Sequence, residues 1–337
     1  MAVDRAPAAP RISSAFATLA RRRETFVVDA APRLIRQPGR HHHVLGPYAE
    51  PIASVRPGET VVVHTVDCFD GRLTGEDQVP SAVLGPHLNP VTGPIWIDGA
   101  EPGDTLAVQI VDIRAARDWA VSCLLLDCGR LAPTHETPSL AAPLPERVWL
   151  YHRTSSGGFA WRDRWEVPWS PFFGTIGTAP ELEVVSSASP GCHGGNMDVR
   201  DVTIGDTLYL PVRVPGALFF VGDSHAAQGQ GELAGPALEI EAYGTFRFSL
   251  IKGRQIAWPR IETPDTVKTV GSARPMEDAA RIAYREVVAW LEADFGYDRL
   301  DAYQLLTRVG GLYVANMVNT TYSLVASCPK RYLSIDA

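Results

Sequence analysis

The run ALEIEAYGTFRFSLI, Ala237–Ile251, is the longest strand-like stretch of the chain. Leu238, Ile240 and Ala242 alternate with Glu239, Glu241 and Tyr243. A period of two places the two sets on opposite faces of an extended strand. Gly244 is the expected break in the run. Upstream, TVVVHTVD (Thr60–Asp67), TLAVQIVDI (Thr105–Ile113) and RVWLYH (Arg147–His152) are equally rich in β-branched and aromatic residues. TLYLPVRV (Thr207–Val214) reads the same way, but Pro211 lacks an N–H and predicts an edge or bulged strand. Three of these runs open on Gly-acid-Thr, at Gly58, Gly103 and Gly205. Glycine supplies the tight turn and the acid marks the exposed start of the strand.

Helical periodicity enters only late. Ala280, Ala283, Tyr284, Val287, Val288, Leu291 and Phe295 form an amphipathic stripe over about 276–294, stopped by Gly296. A second helix is predicted from Asp298, as N-cap, to about Arg308, ended by Gly310 and Gly311. Two further strand-like runs, Leu312–Val318 and Tyr322–Ser327, follow. The expected fold is mainly β, with a β-rich part over about 25–255 and a smaller α/β portion over about 256–337. Residues 1–24, rich in Ala, Arg and Pro, read as a flexible extension. Arg21, Arg22 and Arg23 follow its weak apolar stretch, the wrong order for a secretory signal.

The composition excludes several function classes. A chain of 337 residues with 45% hydrophobic and 20% charged residues builds a full core. Its net charge of −7 denies it a whole-chain basic footprint for nucleic acid. No apolar run approaches the roughly 20 residues of a membrane helix. The five cysteines are scattered without a CxxC pair, which points to free thiols in a reducing cytoplasm.

Two glycine-rich clusters carry the polar residues of interest: GCHGGNMD (Gly191–Asp198) and GDSHAAQGQGE (Gly222–Glu232). Asp223 and His225 are two apart, so on a strand they share a face and can offer one carboxylate and one imidazole to a single cation. Glu232 and His193 can add a ligand or a base. His64 and Asp67 differ by an odd number and face opposite ways; Asp67, where the chain turns, is the better candidate. The competing covalent machineries are weak. Only three lysines exist (Lys252, Lys268, Lys330), none near a cysteine in the manner of a Glu-Lys-Cys triad. Gly222–Ala226 ends in alanine and is not a nucleophile elbow. Cys192 adjoins His193, and adjacent side chains orient one another poorly.

These residues resemble the acetamidase/formamidase family, through NPVTGPIWIDGAEPGDTL (Asn89–Leu106), GCHGGNMD (Gly191–Asp198), TLYLPV (Thr207–Val212), GALFFVGDSHAAQGQGE (Gly216–Glu232) and SCPKRY (Ser327–Tyr332). The resemblance implies a β-sandwich or jelly-roll-like core, a homo-oligomer and hydrolysis of short aliphatic amides to carboxylate and ammonia. It also implies a divalent metal, zinc first, held by Asp67, Asp223 and His225, with His193 in reserve. In that reading Glu232 is the general base. Asn196 and the backbone N–H groups of Gly194 and Gly195 receive the oxyanion, and Trp96 or Phe219 limits the pocket. Two departures remove acids expected of the family: Gln230 and Gly311. The alternatives are a cupin-type metal oxygenase using the same residues and a non-catalytic binder of small ligands.

Overall fold

The computed structural model describes residues 32–126, 128–132 and 144–333. The proposed extension over 1–24 lies outside the described residues. Two large sheets face each other. One has nine strands and runs from Arg33–Ile35 through Thr60–Thr65, Ala242–Ile251, Thr105–Ala115 and Thr207–Pro211 to Arg260–Glu262, Thr266–Ala273, Tyr322–Pro329 and Gly311–Asn316. The other has eleven; its centre is Phe219–Ala227, flanked by Phe172–Thr178, Leu238–Glu239 and Val91–Ile97. The expected mainly-β sandwich is the observed architecture. The C-terminal strands lengthen the first sheet, and two helices cover its outer face.

The core between the sheets is built by the predicted alternation. Val61, Val63, Val108, Phe246 and Phe248 from the first sheet meet Ile95, Phe173, Ile176, Phe219 and Val221 from the second. Phe246 stands 5.2 Å from Phe173 and 5.9 Å from Phe219, ring centre to ring centre. The rings dominate the apolar area removed from water.

The long run Ala237–Ile251 breaks at Ile240–Glu241 and not at Gly244. Leu238–Glu239 belongs to the second sheet and Ala242–Ile251 to the first. The chain turns the sandwich corner between them, with Ile240 N–H donating to Ser224 O and Ala116 N–H to Glu241 O. Gly244 stays inside its strand; a Cβ there would meet the Phe173 and Phe246 rings.

Pro211 is not on an edge. Thr207–Pro211 is interior, paired on one side with Thr105–Ala115 and on the other with Arg260–Glu262. The second partner ends opposite Tyr209, so the missing N–H of Pro211 costs no ladder bond there.

The helix Met276–Phe295 ends at Gly296, whose φ of 70° is the left-handed cap. It lies flat on Thr266–Ala273 and Tyr322–Pro329, burying Ala279, Ala283, Val287, Trp290 and Leu291. The observed stripe is rotated from the predicted one, with Ala279 in place of Ala280. Gly271 permits the approach, because a Cβ there would strike Ala279 O and Ala283 N. The shorter helix Arg299–Val309 begins at Asp298, whose side chain accepts from Leu300 and Asp301 N–H.

Candidate active site

The Phe219–Ala227 strand carries the central residues, and its local backbone decides where they point. Asp223 has φ 53°, a left-handed conformation unusual for a non-glycine residue. Phe219 and Val221, before it, face the inter-sheet core. Ser224, after it, also faces that core and contacts Thr65 Oγ1. The alternation therefore slips by one at Asp223, and Asp223 and His225 turn together to the opposite face. His225 Nε2 lies 3.3 Å from Asp223 Oδ1 and 3.3 Å from Glu239 Oε1, yet neither ring nitrogen has an aligned hydrogen bond. Phe172 closes on the ring edge-on at 4.8 Å.

Gly174, on the neighbouring strand, makes the space. A Cβ there would lie 2.5 Å from Asp223 Oδ2 and 3.0 Å from His225 Cε1, and would overlap Asp198 Oδ1. Asp198, also at positive φ, enters from the chain that follows the Gly194–Asn196 strand. Glu232 comes from the loop after Ala227. Ligand atoms of Asp198, His225 and Glu232 all lie within 4.8 Å of one another, and so do those of Cys68, Asp223 and Glu239. All six residues are buried.

Asparagines stitch the carboxylates in place. Asn316 Nδ2 donates to both Asp198 Oδ2 and Glu232 Oε2, each at 2.6 Å. Its Oδ1 is fixed by Val318 and Asn319 N–H at 2.9 Å. Asn319 Nδ2 adds a bond to Asp198 Oδ2 at 3.0 Å. The Asn196 amide satisfies its neighbours when its NH2 faces the carboxylates, 2.7 Å from Asp223 Oδ2 and 3.2 Å from Asp198 Oδ1.

The electrostatics follow from burial and crowding. Burial, reinforced by Asp223, raises the Asp198 carboxyl to about 7. Burial, with Asp198 next, holds Glu232 well above the usual carboxylate range. Burial raises Glu239 to about 8 against the pull of His225. Burial alone would lower His225, but Glu239 and Asp223 override it and lift the imidazole to about 10. Four carboxylates around one imidazole, with ring nitrogens unsatisfied, form a donor set that fits a divalent cation.

Of the residues expected from the sequence, the structure brings Asp223, His225, Glu232 and Asn196 together. The other assignments land elsewhere. Asp67 has both oxygens engaged: Oδ1 accepts from Phe69 and Gly71 N–H at 2.9 Å, and Oδ2 is 2.6 Å from Arg117 Nη2. It folds the turn that presents the next residue, Cys68, to the site. His193 is in neither ligand group; it is buried, and burial drops its imidazole to about 4. Gly194 and Gly195 pair between Phe172–Thr178 and Pro190–Gly191, and a Cβ on Gly194 would collide with Ile176 O. They serve close strand approach. Phe219 packs on Phe246 and Phe248, and Trp96 lies across Gly216, so both are held in apolar packing. Gln230 is exposed, and Gly311 starts the strand whose far end carries Asn316.

Sequence reading missed Asp198, Glu239, Cys68, Asn316 and Asn319. Asp198 closes the first glycine-rich cluster, so proximity to Asn196 was its signal. Glu239 sits on the polar side of the Ala237–Ile251 alternation. Asn316 had no local signal, because an asparagine inside a strand is ordinary until its partners are known.

A cavity of about 980 Å³ lies elsewhere, between the two helices, beside Trp258, Tyr284 and Tyr303. It contains none of the clustered carboxylates.

Comparison with known proteins agrees with this fold. The model of the acetamidase/formamidase family matches residues 27–191 and 183–320. The crystal structure of acetamidase from Yersinia enterocolitica is 40% identical, with a TM-score of 0.86 over 91% of this chain and 94% of that one. Acetamidase from Bacillus halodurans is 32% identical, with a TM-score of 0.82 over 89% and 98%. A formamidase of Methylophilus methylotrophus is 24% identical over 273 residues, 64% of this chain and 65% of that enzyme.

Proposed function

The chain belongs to the acetamidase/formamidase family and is an amide hydrolase, and from that premise we propose that it cleaves short aliphatic amides at the buried Asp198–Asp223–His225–Glu232 cluster. The observation that carries the reading is the meeting of a carboxyl with a raised proton affinity, Glu232, with an imidazole whose nitrogens lack hydrogen bonds.

An amide carbonyl is a poor electrophile and its amine a poor leaving group. Asp198 and His225, with Asp223 beside them, would hold a divalent cation, zinc being the first candidate. Such an ion supplies Lewis-acid polarisation of the carbonyl and a lowered pKa of water. The rest is the chain's own work. Glu232 takes the proton from the attacking water and hands it to the departing nitrogen, so the leaving group departs as ammonia. A carboxyl raised towards neutrality by burial suits both transfers. Asn316 holds Glu232 Oε2, leaving Oε1 for the proton. Asn196 anchors Asp223 and Asp198, which fixes the geometry around His225. Closure of the cluster from water strengthens each of these interactions.

The test is ammonia release from formamide, acetamide and propionamide before and after exhaustive chelation. Activity lost with the metal and restored by zinc supports the reading. Full turnover by metal-free protein removes the cation from it.

A further inference from the structure

The cluster holds carboxylates enough for more than one cation. Asp198, Asp223, Glu232 and Glu239 are four buried carboxylates, and no arginine or lysine is paired with any of them among the described residues. One divalent ion, bound by a neutral His225, balances two of these carboxylates; the other two either stay protonated or face a second cation, because unpaired charge in the protein interior is costly.

A second ligand group includes Asp223. Cys68 Sγ, an Asp223 oxygen and a Glu239 oxygen are mutually within 4.8 Å. Glu239 is 1% exposed, and its Oε2 has no hydrogen-bond partner, while Oε1 already accepts from Ala237 N–H at 2.8 Å. A buried carboxylate oxygen with no donor is rare in a folded protein and marks a missing partner. Cys68 is held in position by the Asp67 turn, with Asp67 pinned by Arg117, which itself stacks on Trp119 at 3.6 Å.

We propose that Cys68, Asp223 and Glu239 form a second cation site for a thiophilic divalent ion such as zinc, with Asp223 bridging to the ion at Asp198 and His225. This rests on the reading of the first site given above. The Cys68 thiol loses its proton to solvent as the sulfur–metal bond forms. Sulfur makes the Cys68 site softer than the one at Asp198 and His225, so the two should differ in metal preference.

Cobalt(II) added to chelator-stripped protein tests this by stoichiometry and spectrum. Expected is uptake of two ions per chain with a near-ultraviolet thiolate-to-cobalt charge-transfer band. Cys68→Ser should abolish the band and leave one tightly held ion, and Cys192→Ser, at an exposed cysteine, should keep the band. Glu239→Gln should lower uptake to one ion if Cys68→Ser fails to fold. Uptake of one ion without the band overturns the second site and leaves the first standing, as does a band that survives Cys68→Ser. Uptake of none overturns both sites.

Discussion

At the residue scale, the site turns on a few side chains whose neighbours leave them little freedom. Glu232→Gln keeps an acceptor for Asn316 Nδ2 and removes the transferable proton. Its kcat should fall roughly 10²–10⁴-fold with KM little changed, the range for a lost general base. Steady-state ammonia release measures both. Gly174→Ala is the complementary change. Its methyl would overlap Asp198, Asp223 and the His225 ring, all of which are buried and unable to retreat. Overpacking of this kind costs about 1–3 kcal/mol, and the displaced carboxylates should bind metal more weakly. Chemical denaturation and metal titration read the two effects separately. Asp223 shows why spacing alone was an incomplete guide. Its i, i+2 relation to His225 survives, while the same relation to Val221 and Phe219 does not, because φ 53° intervenes.

At the element scale, the two C-terminal helices lie where the sequence placed them, but the first turns a rotated face inward and buries one charge. Asp298 caps the Arg299–Val309 helix through two N–H bonds, so Asp298→Ala should cost about 1 kcal/mol while leaving turnover untouched. Inside the helix layer, Glu286 accepts from Arg260 Nε at 2.9 Å and Nη2 at 2.8 Å, and both residues are nearly inaccessible. Glu286 lies on the apolar face of a helix, where periodicity assigns no charge; only the strand beneath it, bearing Arg260, explains it. Removing one partner strands the other charge. Glu286→Ala should therefore destabilise by about 3–5 kcal/mol, several times the Asp298 effect, in the same denaturation assay.

At the scale of the whole molecule, the two sheets close over groups whose ionisation then depends on burial. His193 has an ordinary value near 6.5 when unfolded and about 4 when folded, because burial disfavours the cation. Below pH 6.5 the unfolded chain binds a proton that the folded one refuses. Stability from this group is therefore intact above pH 6.5 and lost as pH falls from 6.5 through 4, by up to about 3 kcal/mol. The midpoint of denaturation, followed between pH 4 and 7, should fall more steeply for the parent than for His193→Asn.

The alternation of Ala237–Ile251, the late helical stripe and the glycine-rich clusters are local patterns, and they were enough to specify a mainly β fold with helices near its C-terminal end, while the sandwich arrangement came with the family resemblance. They also singled out Asp223, His225 and Glu232, because polar residues among glycines beside apolar strands stand out in one dimension. The corner at Ile240, the slip at Asp223, the arrival of Asp198, Glu239, Cys68 and Asn316, and the use of Asp67 as a turn anchor came from the closed sandwich alone. Those contacts join residues far apart in the chain. Their partners are chosen by sheet pairing and close packing, which no local window of sequence contains.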